Sequence, residues 1–313
     1  MRAQVVFENL RTNTAIHFMR FSDTIGRLKT LCGLIVGVAL TLAPIDGVRA
    51  ESVDNKTTHL MAIGICPPWK RVDTQACRRS VDAIEAALAE RLGIDKQNVT
   101  TLVNAPATTE GLRAAFARLS GLGANDRLII YANLHAGALD PAAETGPGND
   151  VFVLWTEEKP VALPFAVAEG DWIMASDFAG WVHDLAAGEV IFILDACESD
   201  AVTPLFIEAH PQNNANRAEA VIVSAAASQF ANFAADRSIA LYSQQLAQSI
   251  ADGRGTFQQA ADLAASRTHT AAIPICDLQK SALEQAGMDP QSCAQQPTTH
   301  DPDALLTRIV LHD

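Results

Sequence analysis

Two strongly apolar runs in this chain end on residues that can do covalent chemistry. Residues 126–137 read DRLIIYANLHAG and carry His135; residues 190–200 read VIFILDACESD and carry Cys197. A cysteine attacks as the thiolate, and an ordinary pKa of about 8.5 leaves little thiolate at neutral pH without help. A histidine beside it can assist the thiol and then protonate a departing amine. Asp195 lies two residues before Cys197. Residues two apart in a strand point to one side, so the two share a face if the strand runs that far. A bare carboxylate there raises the thiol pKa unless it faces a cationic substrate group. The plainer alternatives are a small buried thiol, a loop histidine, and an Asp195 that only accepts hydrogen bonds from nearby backbone N–H groups.

These residues need a scaffold that brings two strand ends together, and the rest of the chain reads as one. Strands are expected at 58–65 (THLMAIGI), 99–103, 126–133, 151–155 (VFVLW), 190–194 and 220–224, with a last one at 307–311 (TRIVL). Helices are expected at 74–92, capped by Asp73 and stopped by Gly93, and from Thr108 or Thr109 to about 119. Further helices are expected from Ser176 to about 186, at 239–251 and at 256–267, with 274–303 irregular. Alternating strands and helices, with strands that are continuous apolar runs, predict an α/β fold. Its mainly parallel sheet carries helices on both faces. In such sheets the working site lies at the carboxyl ends of the strands, where both His135 and Cys197 fall.

The apolar run 31–43 follows Arg20, Arg27 and Lys29 and precedes the small-residue pattern Val48-Arg49-Ala50, the layout of a secretory signal peptide over residues 1–50. The expected division is then a leader 1–50, a main domain 51–270 and a C-terminal tail 271–313. The full chain carries a net charge of −13, and without the leader it has 17 basic against 33 acidic residues, a net −16. That surface repels nucleic acid and attracts cationic partners. Export to the periplasm or beyond implies an oxidising compartment. Of the five cysteines past the leader, the simplest pairing is Cys66 with Cys77 and Cys276 with Cys293, which leaves Cys197 over. After leader removal no membrane segment is expected; the oligomeric state is open.

DRLIIYANLHAG followed by VIFILDACES resembles the caspase-like cysteine peptidases, nearest the metacaspase branch. That family places a His-Gly pair at one strand end and Asp-Ala-Cys at another. The likeness extends from about residue 57 to 268 and includes VFVLW, DWIMASDFAGWVHDL and AVIVSAAASQF. It implies a three-layer caspase-like fold and a polypeptide substrate. It also implies a dyad in which Cys197 attacks the peptide carbonyl to form a thioester and His135 protonates the leaving amine. Backbone N–H groups of Ala136, Gly137 and Cys197 then hold the oxyanion, and Asp195 forms the pocket for Arg or Lys at the cleavage site. Family members are often cut in the loop after the nucleophile, which makes Arg217 the expected self-cleavage site. Three departures stand out: Ala136 replaces the glycine after the histidine, Glu198 follows the cysteine, and Asp200 occupies a position usually held by glycine.

Other histidines are weaker candidates: His59 is expected to pack at a strand start, His183 to be solvated on a helix, and His210 to sit in a polar loop. No HExxH, paired CxxC or phosphate-binding glycine loop is present, so no metal or nucleotide is expected. Some metacaspases use calcium, but no ligand spacing here asks for it. Two other readings stand beside the peptidase: a catalytically silent protein-binding module of the cell envelope, and a different cysteine hydrolase such as an amidase.

Overall fold

The computed structural model describes residues 56–312 apart from Arg71, 141–147, 161–162, 208–216 and Arg254. The expected leader and His210 lie outside the described residues. The central sheet contains β1 (Thr57–Gly64), β2 (Val99–Val103), β3 (Asp126–Asn133), β7 (Glu189–Asp195), β8 (Ala218–Val223) and β10 (Thr298–His300), in the order β10-β8-β7-β3-β1-β2. Every pairing is parallel except that of β10 with β8. Three further strands, β4 (His135–Ala138), β5 (Asp150–Val153) and β6 (Trp172–Met174), form a small antiparallel sheet. VFVLW therefore joins this second sheet through β5 instead of extending the central one.

The sheet is covered on both faces, as continuous apolar strands require. One face packs against α2 (Thr109–Arg118), α4 (Ala175–His183) and α5 (Thr203–Ile207), with Phe116, Phe178, Phe192 and Phe206 in contact there. The other packs against α1 (Thr74–Leu92), α6 (Leu241–Asp252) and α7 (Phe257–Gln285), through Val81, Ile84, Leu246, Ile250 and Phe257. This three-layer arrangement is the α/β architecture expected. A short α3 (Leu163–Ala168) precedes β6.

Strand parity decides what each strand end presents. In β7, Phe192 and Leu194 enter the first layer, whereas Ile191 and Ile193 enter the second. In β3, Ile130 and Ala132 face the first layer, and Ile129 and Tyr131 face the second. The residues that continue these second-layer rows are Asp195 and Asn133, which are registered partners across the two strands.

The helix caps follow the sequence closely. The Asp73 side chain accepts from Gln75 N, Gly93 ends α1 at φ 62°, and Thr108 accepts from Gly111 N. Three expectations are corrected. The α4 helix begins at Ala175 with Met174 as its cap, and no side-chain cap bond from Ser176 is made. Residues 274–303 are irregular only in part: α7 opens on a reciprocal Thr256–Gln259 capping box and continues through Pro274 to Gln285, and β10 spans Thr298–His300. Pro274 removes one helical bond, and the distal half is held by the packing of Cys276 and Leu283 with Cys293, Phe230 and Met288. TRIVL is mostly the short helix α8 (Leu305–Arg308); only Val310–Leu311 (β11) is extended, pairing with β9 (Gly255–Thr256). Both expected disulfides, Cys66–Cys77 and Cys276–Cys293, are present, and Cys197 is the free cysteine among the described residues. Among those residues no helix is long and apolar enough to cross a membrane.

Candidate active site

The β3 and β7 ends are tied to each other just before the chemistry begins. Leu134 N and the Asn133 side-chain amide both donate to Asp195 O, at 3.3 and 3.1 Å. His135 follows two residues after Asn133 and Cys197 two residues after Asp195, so the sheet register brings both to one edge. Both are half-buried. No hydrogen bond joins the His135 ring to Cys197 among the described residues, and such contacts often tighten only with substrate bound.

Burial drives the protonation of both groups toward neutrality. It pushes the Cys197 thiol up to about 11, helped by the Glu198 and Asp195 carboxyls and opposed by the Ala231 backbone N–H and the Lys70 ammonium. Burial, with a smaller push from Lys70, lowers His135 to about 3. The resting pair is therefore a thiol beside a neutral imidazole, not an ion pair.

Asp195 is 1 % exposed. Its Oδ2 accepts from Ser243 N at 3.1 Å and Ser243 Oγ at 2.5 Å. Tyr131 OH shares the same serine at 2.5 Å. Asp195 Oδ1 and Asn133 Oδ1 are both buried without a hydrogen-bond partner. Burial raises the Asp195 carboxyl above its ordinary range; the Ser243 bonds oppose that rise, as does the nearby Ser224 hydroxyl, which itself bonds the Ala196 backbone. Asp195 thus extends the second-layer row under the strand ends, and it and its registered partner Asn133 each carry an acceptor without a donor.

The departures in the motif have local explanations. Ala136 lies in β4 opposite Phe152, with no left-handed backbone to favour glycine. Leu139 N donates to Asn149 O at 2.6 Å. Antiparallel ladders alternate bonded and non-bonded pairs, so the Gly137 N–H turns toward β5 and the Ala136 N–H turns away from it. Of the two expected oxyanion donors on β4, the ladder therefore leaves Ala136 available and engages Gly137. The Cys197 N–H has no partner among the described residues. Glu198 adopts φ 55°, the left-handed region, and its N–H donates to Gln229 O at 2.7 Å. Burial and the Asp150 charge raise the Glu198 carboxyl. Asp200 turns toward the tail, where it accepts from Thr203 Oγ1 at 3.0 Å and pairs with His300 Nε2 at 2.7 Å.

Arg217 corrects two expectations at once. It is not an open-loop residue: its side chain is 2 % exposed and ion-paired with Glu219. The guanidinium also donates to Val182 O, to Leu185 O at 3.0 Å and to His183 Nδ1 at 2.8 Å. A residue so enclosed cannot enter a protease cleft without local unfolding, so the expected self-cleavage at Arg217 does not fit the folded chain. His183, expected to be solvated, is buried and also bonds Leu205 O through Nε2. His59 is half-buried at its strand start and faces Asp126 at 3.7 Å.

Four contributors were missed in the sequence. Asn133 was legible, since Asn-Leu-His repeats the spacing of Asp-Ala-Cys. Lys70, on the turn Pro68–Lys70 fixed by a Trp69 Nε1–H bond to Thr156 Oγ1 at 2.9 Å, carries no local signal of its place. Asp150 and Ala231 likewise reach the site only through tertiary packing. No cluster of three or more metal-ligating side chains occurs among the described residues.

No family model and no curated protein matches the sequence. Among solved structures, the protein GSU0716 of Geobacter sulfurreducens is similar with a TM-score of 0.50 at 16 % identity, over 82 % of this chain and 100 % of that one. Caspase-1 of Spodoptera frugiperda superposes with a TM-score of 0.45 at 13 % identity, over 79 % of this chain and 87 % of that one. The first likeness is one of fold.

Proposed function

We propose that the protein is an exported cysteine endopeptidase that cuts polypeptides after Arg or Lys through His135 and Cys197. The observation that carries this reading is the pair of idle buried acceptors, Asp195 Oδ1 and Asn133 Oδ1, beneath the edge that presents the free thiol. A buried acceptor without a donor costs about 1–3 kcal/mol, and a guanidinium or ammonium on the substrate would supply the missing donors and the opposite charge.

In the cycle, substrate closure brings His135 to the Cys197 thiol, and the neutral imidazole takes its proton as sulfur adds to the carbonyl carbon. The Cys197 and Ala136 N–H groups face the resulting oxyanion. The imidazolium then protonates the leaving amine as the C–N bond breaks, leaving a thioester on Cys197. Water, deprotonated by His135, hydrolyses the thioester and returns the thiol. Two disulfides fit a periplasmic or secreted location.

A second reading, the silent binding module, is favoured by one observation: the thiol at about 11 is almost wholly protonated at rest. A peptide electrophile ending in Arg separates the two. Stoichiometric modification mapped to Cys197, absent with the Asp-terminated analogue, supports the peptidase. No modification by either supports the binding module.

A further inference from the structure

Beyond the dyad, hydrogen bonds from the C-terminal region reach Gln229 and, through its carbonyl, the residue after the nucleophile. Cys293 is cross-linked to Cys276 near the end of α7. The residues around Cys293 hold the segment 229–232 at four points. Phe230 N donates to Ser292 O at 2.7 Å, and the Asn232 side chain donates to Cys293 O at 2.9 Å. Asn232 N donates to Oε1 of Gln295, which is 0 % exposed and in turn donates through Nε2 to Ser224 O at 2.9 Å. Gln296 N donates to Gln229 Oε1 at 2.8 Å. The segment's other side meets the site: Gln229 O takes the Glu198 N–H, and the Ala231 backbone N–H acts on the Cys197 sulfur.

We propose that residues 292–296, fixed by the Cys276–Cys293 bridge, are a positioning element of the active site. They clamp Gln229 and the segment 229–232 against Cys197 and Glu198. This rests on the peptidase reading for its catalytic consequence, but not for the clamp itself. Gln229 is the hinge of the device, because its side chain binds the tail and its carbonyl binds the residue after the nucleophile. The left-handed Glu198 is kept in place by that carbonyl, and strained non-glycine geometry of this kind persists only where its surroundings hold it.

The test uses the full protein and the pH profile of Cys197 alkylation by iodoacetamide. Gln229→Ala removes the acceptor for Gln296 N, Gln229→Glu keeps it, and the Cys276→Ser/Cys293→Ser double variant frees the tail. Loosening the segment both exposes the thiol and removes the Ala231 N–H. Exposure dominates, since burial is the largest influence on this thiol. The charged and titratable groups facing it, Glu198, Asp195, Lys70 and His135, are unchanged in Gln229→Ala and the double variant, whereas Gln229→Glu adds a carboxylate that can only raise the thiol. The expected result is a profile moved to lower pH, with alkylation at pH 7 faster by about tenfold or more, in Gln229→Ala and in the double variant. In Gln229→Glu the shift to lower pH is absent. Hydrogen exchange at the amides of Glu198, Phe230 and Asn232 accelerates in the first two. Wild-type profiles and wild-type exchange in both loosened variants, at an intact melting temperature, overturn the proposal. Peptide turnover measured alongside separates the two claims: a moved profile in a protein with no peptidase activity keeps the clamp and removes the peptidase.

Discussion

Replacing Arg217 with alanine tests whether this residue is a buried anchor. Its guanidinium is almost fully enclosed, paired with Glu219, and bonded to two α4-end carbonyls and the His183 ring. Arg217→Ala takes the Arg217 charge away from the buried Glu219, 3 % exposed, and removes a donor from the Leu185 carbonyl. Breaking one side of such a pair costs about 3–5 kcal/mol, a large share of the roughly 5–15 kcal/mol that holds a domain together. At roughly 2–4 °C per kcal/mol for a chain of this size, the melting temperature falls by about 6–20 °C. The double variant Arg217→Met/Glu219→Leu removes both charges and regains most of that loss, since apolar pairs of similar volume replace buried ion pairs at little cost. Thermal melts by circular dichroism at pH 7 read both. A fall of under about 2 °C for Arg217→Ala, well below the smallest value above, refutes the anchor, as does a double variant no more stable than the single one.

Three further outcomes follow from the same geometry. In the wild-type protein, Cys197 alkylation rises about tenfold per pH unit from pH 7 to 10, because the thiol titrates near 11; a plateau by pH 9 contradicts the buried, carboxylate-flanked thiol. Asp195→Asn lowers kcat/KM on an Arg peptide by roughly thirty- to several-hundredfold, the value of a lost charge-assisted contact of about 2–4 kcal/mol, and Asn133→Leu lowers it less; equal turnover of Arg and uncharged peptides by wild type removes the pocket. Cys66→Ser/Cys77→Ser destabilises by about 3 kcal/mol as a short closed loop is released, read by urea titration, and an unchanged midpoint contradicts a formed bridge.

Much of the scaffold could be read in advance because local chemistry dictated it. Asp73, Gly93 and Thr108 cap where their side chains or backbone freedom demand. The apolar runs at 126–133 and 190–194 became adjacent buried strands whose ends meet. Where local signals misled, tertiary packing had overridden them. Pro274 and the polar residues around it suggested a loose tail, yet the Cys276–Cys293 bridge and Leu283 support a helix of 29 residues. Arg217 looked like a lone basic residue in a polar stretch; only the fold brings Glu219, His183 and the α4 carbonyls around it. At the candidate site, the placement of His135, Cys197 and Asp195 at neighbouring strand ends was legible from motif and parity. Lys70, Asp150, Gln229 and Ala231 were not, because they reach Cys197 or Glu198 from connections, or for Asp150 from the second sheet, whose paths no spacing rule predicts.

The central claim is most directly tested by hydrolysis of fluorogenic peptides ending in Arg, Lys or Asp by the wild-type protein, with Cys197→Ala and His135→Ala alongside. The account predicts release after Arg and Lys, little after Asp, and loss of release in both variants. Release after Asp alone contradicts the Asp195–Asn133 pocket, and release that survives Cys197→Ala, or none from any peptide, contradicts the dyad.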